Sequence, residues 1–275
     1  MASVRLSIHI PPDSNPDNIT QLINILAGDT NLIFQTASEL MEFLQENGVG
    51  SRPEIHITAD EMGVIEKKPN QVRLSSIGHT LSRIREEVRP DLFHYLMYTG
   101  WSEHQPTIFL QSWAYQRVCN QYWEMGNVDI PTFTKRLVEE ITNEAGSYFT
   151  GLVEDFNEIS FSSKSINGAH KWMDNISPQV LEKSGKEYKR FTRREFCPPE
   201  LLIMVIGYIL RDDPDATNID ILLSKDRRDK ICQLCLLEPT SLERTLDWTL
   251  PMFPSIITTG TTAGYYGRFI RLLKR

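Results

Sequence analysis

The sequence has little of what a membrane protein, a secreted protein or a common enzyme needs. No apolar run approaches the roughly 18 residues that span a bilayer, so no membrane span is expected. The opening stretch, MASVRLSIHIPPDSNPDN, has no basic segment followed by an apolar core, so a secretory leader is not expected either. Four cysteines, Cys119, Cys197, Cys232 and Cys235, are too few for a disulfide framework and fit reduced thiols in a cytoplasmic setting. There is no H-E-x-x-H, no G-x-S-x-G, no Walker A loop and no dinucleotide fingerprint. The six histidines are scattered, and Asp212, Asp213 and Asp215 crowd one loop where a nuclease needs separated acids converging with a lysine. Cys232-Gln-Leu-Cys235 has no second ligand pair for zinc and no βαβ setting for redox work. Its two thiols lie in an apolar helical run and read as packing. Gly260 and Gly264 fit a turn, because no helix start follows them to make a phosphate cradle. No catalytic set, metal site, cofactor or small-molecule substrate is therefore expected.

What is present is an ordinary globular composition, 40% apolar and 24% charged over 275 residues, with a net charge of −7. That length allows one large domain or two to three small ones. The acidic balance argues against a pure nucleic-acid binder. The chain is organised around residues 58–81, TADEMGVIEKKPNQVRLSSIGHTL. A short helix from Ala59 to Met62, a turn at Gly63, and β runs at 64–65 and 72–74 joined by Lys67-Lys68-Pro69-Asn70-Gln71 precede a helix opening at Ser75-Ser76. That is the order of a winged helix. Upstream, residues 1–16 alternate as a short strand or arm. A helix capped by Asp17 or Asn18 runs to Gly28, a second starts at Thr36 or Ser38, and 50–57 reads as a linker.

The fold class expected is mainly α with small β-hairpin wings. It comprises a winged helix-turn-helix unit at 1–84, a helical middle domain at 85–181, and a C-terminal helical domain with a winged-helix-like hairpin at 182–275. The middle is rich in aromatics, among them Trp113, Tyr115, Tyr122 and Trp123, which suit its core. Within it, 160–168 (SFSSKSING) reads as a polar loop. Residues 182–195 carry six cations against three acids and read as an exposed helix or a linker. Pro198-Pro199 opens an apolar helix, and 222–224 reads as a helix start. Two helices then precede β runs at 255–258 and 268–273, bridged by a glycine- and threonine-rich tip. The two terminal units share an element order but no alignable residues.

Candidate DNA-binding residues fall in three groups. The C-terminal hairpin has Arg268, Arg271, Lys274 and Arg275 without an acid from 258 onward. Tyr265 and Tyr266 there suit stacking, and Thr259, Thr261 and Thr262 suit phosphate. The first wing offers Lys67, Lys68 and Arg73 with Asn70 and Gln71. However, residues 1–76 hold five cations against ten acids, two of them on the helix that would enter a major groove. The basic run adds Lys189, Arg190, Arg193 and Arg194 if it shares a side with the C-terminal hairpin.

The phrases ADEMGVI, VRLSSIGHTL and FCPPELLIMVIGYIL, followed by a terminal helix and hairpin, resemble winged-helix accessory proteins encoded with bacterial antiphage defence systems. Some of those are found with DNA-modification or phage-exclusion machinery. The resemblance implies a bacterial accessory subunit acting on DNA or on a DNA-processing partner, and it carries no catalytic residues. The expected function is a non-enzymatic adaptor. It would bind DNA through the C-terminal hairpin and a protein through the acidic first unit or the aromatic middle. The alternative is a pure protein-interaction subunit without DNA affinity.

Overall fold

A computed structural model of the chain describes residues 4–28, 32–50, 52–152, 156–211, 220–261 and 267–273. The alternating N-terminus forms strand β1 (Val4–Ser7). Helix α1 (Pro16–Gly28) follows and buries Ile19, Leu22, Ile23 and Leu26 at helical spacing. Its cap is Asn15, whose side-chain oxygen accepts from the backbone N–H of Asp17 and Asn18, so the two predicted caps are instead the donors that it satisfies. Thr36 caps α2 (Ala37–Glu46) as predicted. Helix α3 (Pro53–Glu61) starts well before Ala59 and absorbs much of the predicted linker. Pro53 occupies its first turn, where the missing N–H would have no partner anyway.

Strands β2 (Ile65–Lys68) and β3 (Gln71–Leu74) form the first hairpin, turning at Asn70 in the left-handed region (φ 57°). Phe34 adds a one-residue third strand. Its N–H donates to the Val72 carbonyl at 2.9 Å and its carbonyl accepts from Val72 at 2.7 Å. Ser75 then caps α4 (Ser76–Ser82).

The middle of the chain holds α5 (Arg89–Thr99), α6 (Leu110–Met125), β4 (Asn127–Asp129), α7 (Ile130–Phe149), β5 (Phe156–Ser160) and α8 (Ser163–Met173). β5 lies parallel to β1, with Leu6 opposite Ile159. Trp113, Tyr115, Tyr122, Phe149 and Trp172 are wholly buried, so the aromatic wealth of this span is core. The stretch 160–168 is not a loop: it ends β5 and opens α8. Ser162 and Ser165 form a reciprocal capping box, and Ile166, Ala169, Trp172 and Met173 fall on the buried face.

Helix α8 and the N-terminal arm approach closely at Gly168. A Cβ there would stand 2.1 Å from the carbonyl oxygen of Ile10. Gly168→Ala is expected to lower the unfolding free energy by about 1–3 kcal/mol through overpacking, read as a lower urea midpoint. An unchanged midpoint would mean that arm and helix sit apart in solution.

The basic run is neither helix nor linker. It forms β6 (Leu181–Ser184) and β7 (Glu187–Thr192), turning at Gly185 (φ 62°), and β7 also pairs with β4 in the order β4–β7–β6. The charges hide the anchor: Phe191 is wholly buried, stacked on Tyr122 with centroids 5.2 Å apart.

The C-terminal span comprises α9 (Pro199–Ile209), β8 (Ile221–Leu222), α10 (Lys225–Leu234), α11 (Leu242–Thr249), β9 (Ile257–Thr261) and β10 (Arg268–Leu272). Ser224 caps α10, while the two residues before Leu223, predicted in part as a helix start, pair as β8 with β10. Gly260 lies within β9 rather than in a turn, opposite Phe269, whose ring fills the space a Cβ would take. The sheet order is β8–β10–β9.

One order of elements therefore occurs twice: helix, short strand, two helices, hairpin, with the last strand in the middle of the sheet. It is built once from α1, Phe34, α2, α3, β2 and β3, and again from α9, β8, α10, α11, β9 and β10. The architecture is mainly α with small sheets, and apolar side chains from both ends and the middle join one buried cluster. Among the described residues no helix is long and apolar enough to cross a membrane.

Candidate functional site

The first hairpin presents its cations already engaged. Lys67 pairs with Asp60 at 3.1 Å, Lys68 with Glu66 at 3.4 Å, and Arg73 donates to Glu66. The hydrogen bond from Arg73 holds the Glu66 carboxyl below the usual carboxylate range. Helix α3 leans on the start of α6. Gln111 Nε2 donates to Thr58 Oγ1 at 3.0 Å and to Glu61 Oε2 at 2.6 Å, and partial desolvation pushes the Glu61 carboxyl up. A cleft of about 370 Å³ lies beside this contact, lined by the N-terminal arm and both helices, with Glu54 and Glu61 in the lining.

The C-terminal hairpin behaves alike. Arg268 is only 12% exposed in its side chain. It donates to Glu243 at 3.1 Å, Asp247 at 2.7 Å and Thr259 at 2.9 Å. Arg271 donates to Asp220 at 2.7 Å. The two acids facing Arg268 stand one turn apart on α11, and Arg228 also reaches Glu243. Thr261 ends β9 in an exposed position. Thr262, Tyr265, Tyr266, Lys274 and Arg275 lie outside the described residues. The outer face of α11 carries Trp248, 75% exposed, and one turn on stands Met252, 62% exposed. Glu195 pairs with Arg244 of the same helix and brings the exposed Phe196 to this end of the molecule.

The basic run divides by strand face. Arg194 is wholly buried: Nη1 donates to Asp91 at 2.6 Å and to the Ser177 carbonyl at 2.9 Å, and Nε to the Cys235 carbonyl at 2.7 Å. Arg193 lies 4.8 Å over the Trp123 ring and donates to the Trp123 carbonyl at 2.7 Å. Both arginines join elements of the core and its margin, so neither presents a free guanidinium. Lys189 pairs with Glu187. Arg190 is exposed and has no ion-pair partner among the described residues.

Sequence reading missed the buried polar groups. His94 bridges Tyr115 OH at 2.7 Å and the Leu234 carbonyl at 2.8 Å, and His170 Nε2 lies 2.7 Å from Tyr122 OH. Burial pushes both imidazoles down to about 3. Tyr115 and Tyr122 have helical spacing to each other in the sequence, but nothing local marks their histidine partners. Cys232 and Cys235 are buried in and beside α10 as the apolar pattern predicts, and Cys197 lies against Cys235. Among the described residues no three histidine, cysteine or acidic side chains gather as metal ligands.

No family model matches the sequence, and comparisons with curated proteins and with solved structures return no match.

Proposed function

We propose that this chain is a non-enzymatic accessory subunit that docks a partner protein through the outer face of α11. Its frame would be two winged-helix units around a helical middle. The element order that occurs twice supports the winged-helix reading, and with it the resemblance to accessory proteins of bacterial antiphage defence.

The observation that favours protein over DNA is the state of the hairpin cations. Lys67, Lys68, Arg73, Arg268 and Arg271 each hold an acid of their own unit. A phosphate would have to displace a carboxylate at each, which erodes the electrostatic gain that drives DNA binding. The helices that such units place in a major groove carry acids: Glu54, Asp60 and Glu61 on α3, Glu243 and Asp247 on α11. On α11 those acids flank an exposed tryptophan, the residue type most enriched at interface hot spots.

Trp248→Glu is expected to weaken retention of a specific protein from source-cell extract by at least about thirtyfold, the effect of losing a hot spot worth 2 kcal/mol or more. The melting temperature should stay unchanged, because the ring packs on nothing that it would leave empty. Equal retention by both forms would overturn the docking face. A second reading, DNA binding, is favoured by Lys171 and Lys186, which hold no ion pair among the described residues. Duplex binding that falls steeply with salt would support it.

A further inference from the structure

A cleft of about 590 Å³ opens between the N-terminal arm, α7, α8 and the tip of the β6–β7 hairpin. That volume lies within the range of small-molecule sites. Its walls differ in chemistry. One is apolar, made by Pro12 of the arm and by Ile130 and Pro131 in the first turn of α7. The other is cationic, with Lys171 on α8 and Lys186 and Lys189 on the hairpin. Among the described residues Glu187 is the single carboxylate in the lining, and it is occupied by Lys189. Lys171 and Lys186 have no ion-pair partner among the described residues.

Helical spacing puts Asn167, His170 and Lys171 on one face of α8, toward this wall. His170 is almost wholly buried, with Tyr188 against its ring at 4.8 Å. Tyr122 OH meets its Nε2 at 2.7 Å. Its Nδ1 is buried too, so the ring lines the cleft without offering it a polar atom. Two ammonium groups without an ion pair and a side-chain amide on one wall, facing prolines on the other, match a ligand with an anionic end and an apolar body.

We propose that this cleft binds a soluble organic phosphate of nucleotide size, its phosphates on Lys171, Lys186 and Asn167 and its organic body against Pro12, Ile130 and Pro131. The site is separate from the outer face of α11, so either can fail without the other.

The test is calorimetric titration of the full chain with ADP and, separately, with pyrophosphate, at low and at physiological salt. ADP is expected to saturate one site per chain. Lys171→Glu with Lys186→Glu should weaken it at least about tenfold, as loss of charge-assisted contacts on a partly exposed wall implies. Lys225→Glu, an exposed change on α10, which contributes nothing to the cleft, should leave it unaltered. Thermal melting of the double variant should match the parent, since neither lysine holds a protein partner. No saturable ADP binding at either salt, or equal affinity in the double variant, overturns the proposal. Pyrophosphate binding as tightly as ADP overturns the role of the proline wall. A single-stranded oligonucleotide that binds while ADP does not would replace the small molecule with a nucleic acid.

Discussion

Asp91→Ala is expected to lower the unfolding free energy by about 3–5 kcal/mol, because it strands a buried guanidinium. Asp91 and Arg194 are both without solvent contact. Asp91 Oδ1 accepts from Arg194 Nη1 at 2.6 Å, and Oδ2 accepts from the Ser177 N–H at 2.9 Å. Arg194 also serves the carbonyls of Ser177 and Cys235, so one charge pair ties α5, the segment after α8, and the end of α10. The Nη2 of Arg194 has no partner, which leaves the cation dependent on Asp91 for its compensation. Urea unfolding of Asp91→Ala gives the loss directly. Asp91→Leu with Arg194→Met should recover much of it, since removing both charges removes the penalty of burying either. A single-variant loss below about 1 kcal/mol would mean that water reaches the pair.

The second large effect is acid lability set by His94 and His170. Burial holds both imidazoles at about 3, against an ordinary value of 6.5. Between those values the unfolded chain binds protons that the folded chain refuses. The neutral form is therefore no handicap above pH 6.5, and stability falls as the pH drops from there toward about 3. Well inside that window each histidine contributes a loss of about 1.4 kcal/mol per pH unit. Urea midpoints at pH 7 and pH 5 should differ accordingly, above the range where paired carboxylates titrate. His170→Gln should remove about half of the slope. A flat profile from pH 7 to pH 5 would show that both rings accept a proton in place.

Local pattern made much of the fold legible. Alternation of Val72 and Leu74 around a Lys-Lys-Pro-Asn tip marks the first hairpin, and Ser75 marks the helix after it. The apolar stripes of α1, α7 and α9 are as visible in the sequence as in the structure. What was hidden depended on partners distant in sequence. Phe34 becomes a strand only because β3 lies beside it, and a single residue has no periodicity. The start of α8 is written in Ser, Asn and Gly, which read as loop until Ser162 and Ser165 are seen to cap each other. In β6 and β7 the charges outnumber the apolar anchors, Leu181 and Phe191, that fix the hairpin.

The candidate sites were less legible, for a related reason. Arg268 and Arg271 look free in the sequence because no acid is near them in the chain. Glu243 and Asp247 at i, i+4 form an acidic stripe that could have been noticed, but its target is set by tertiary packing. Arg194 belongs to a basic run, yet its fate is decided by an aspartate 103 positions away.

The parallel pairing of β1 with β5 bears on the order in which the chain assembles. Its two strands are separated by about 150 residues, and the ladder closes a loop of that length. Contacts of such span slow the search for the native state relative to the local contacts of the helices. During synthesis the first strand leaves the ribosome long before its partner exists. The units between them can collapse first, and the N-terminal arm is fastened afterwards, as a late clasp across a body that has already formed.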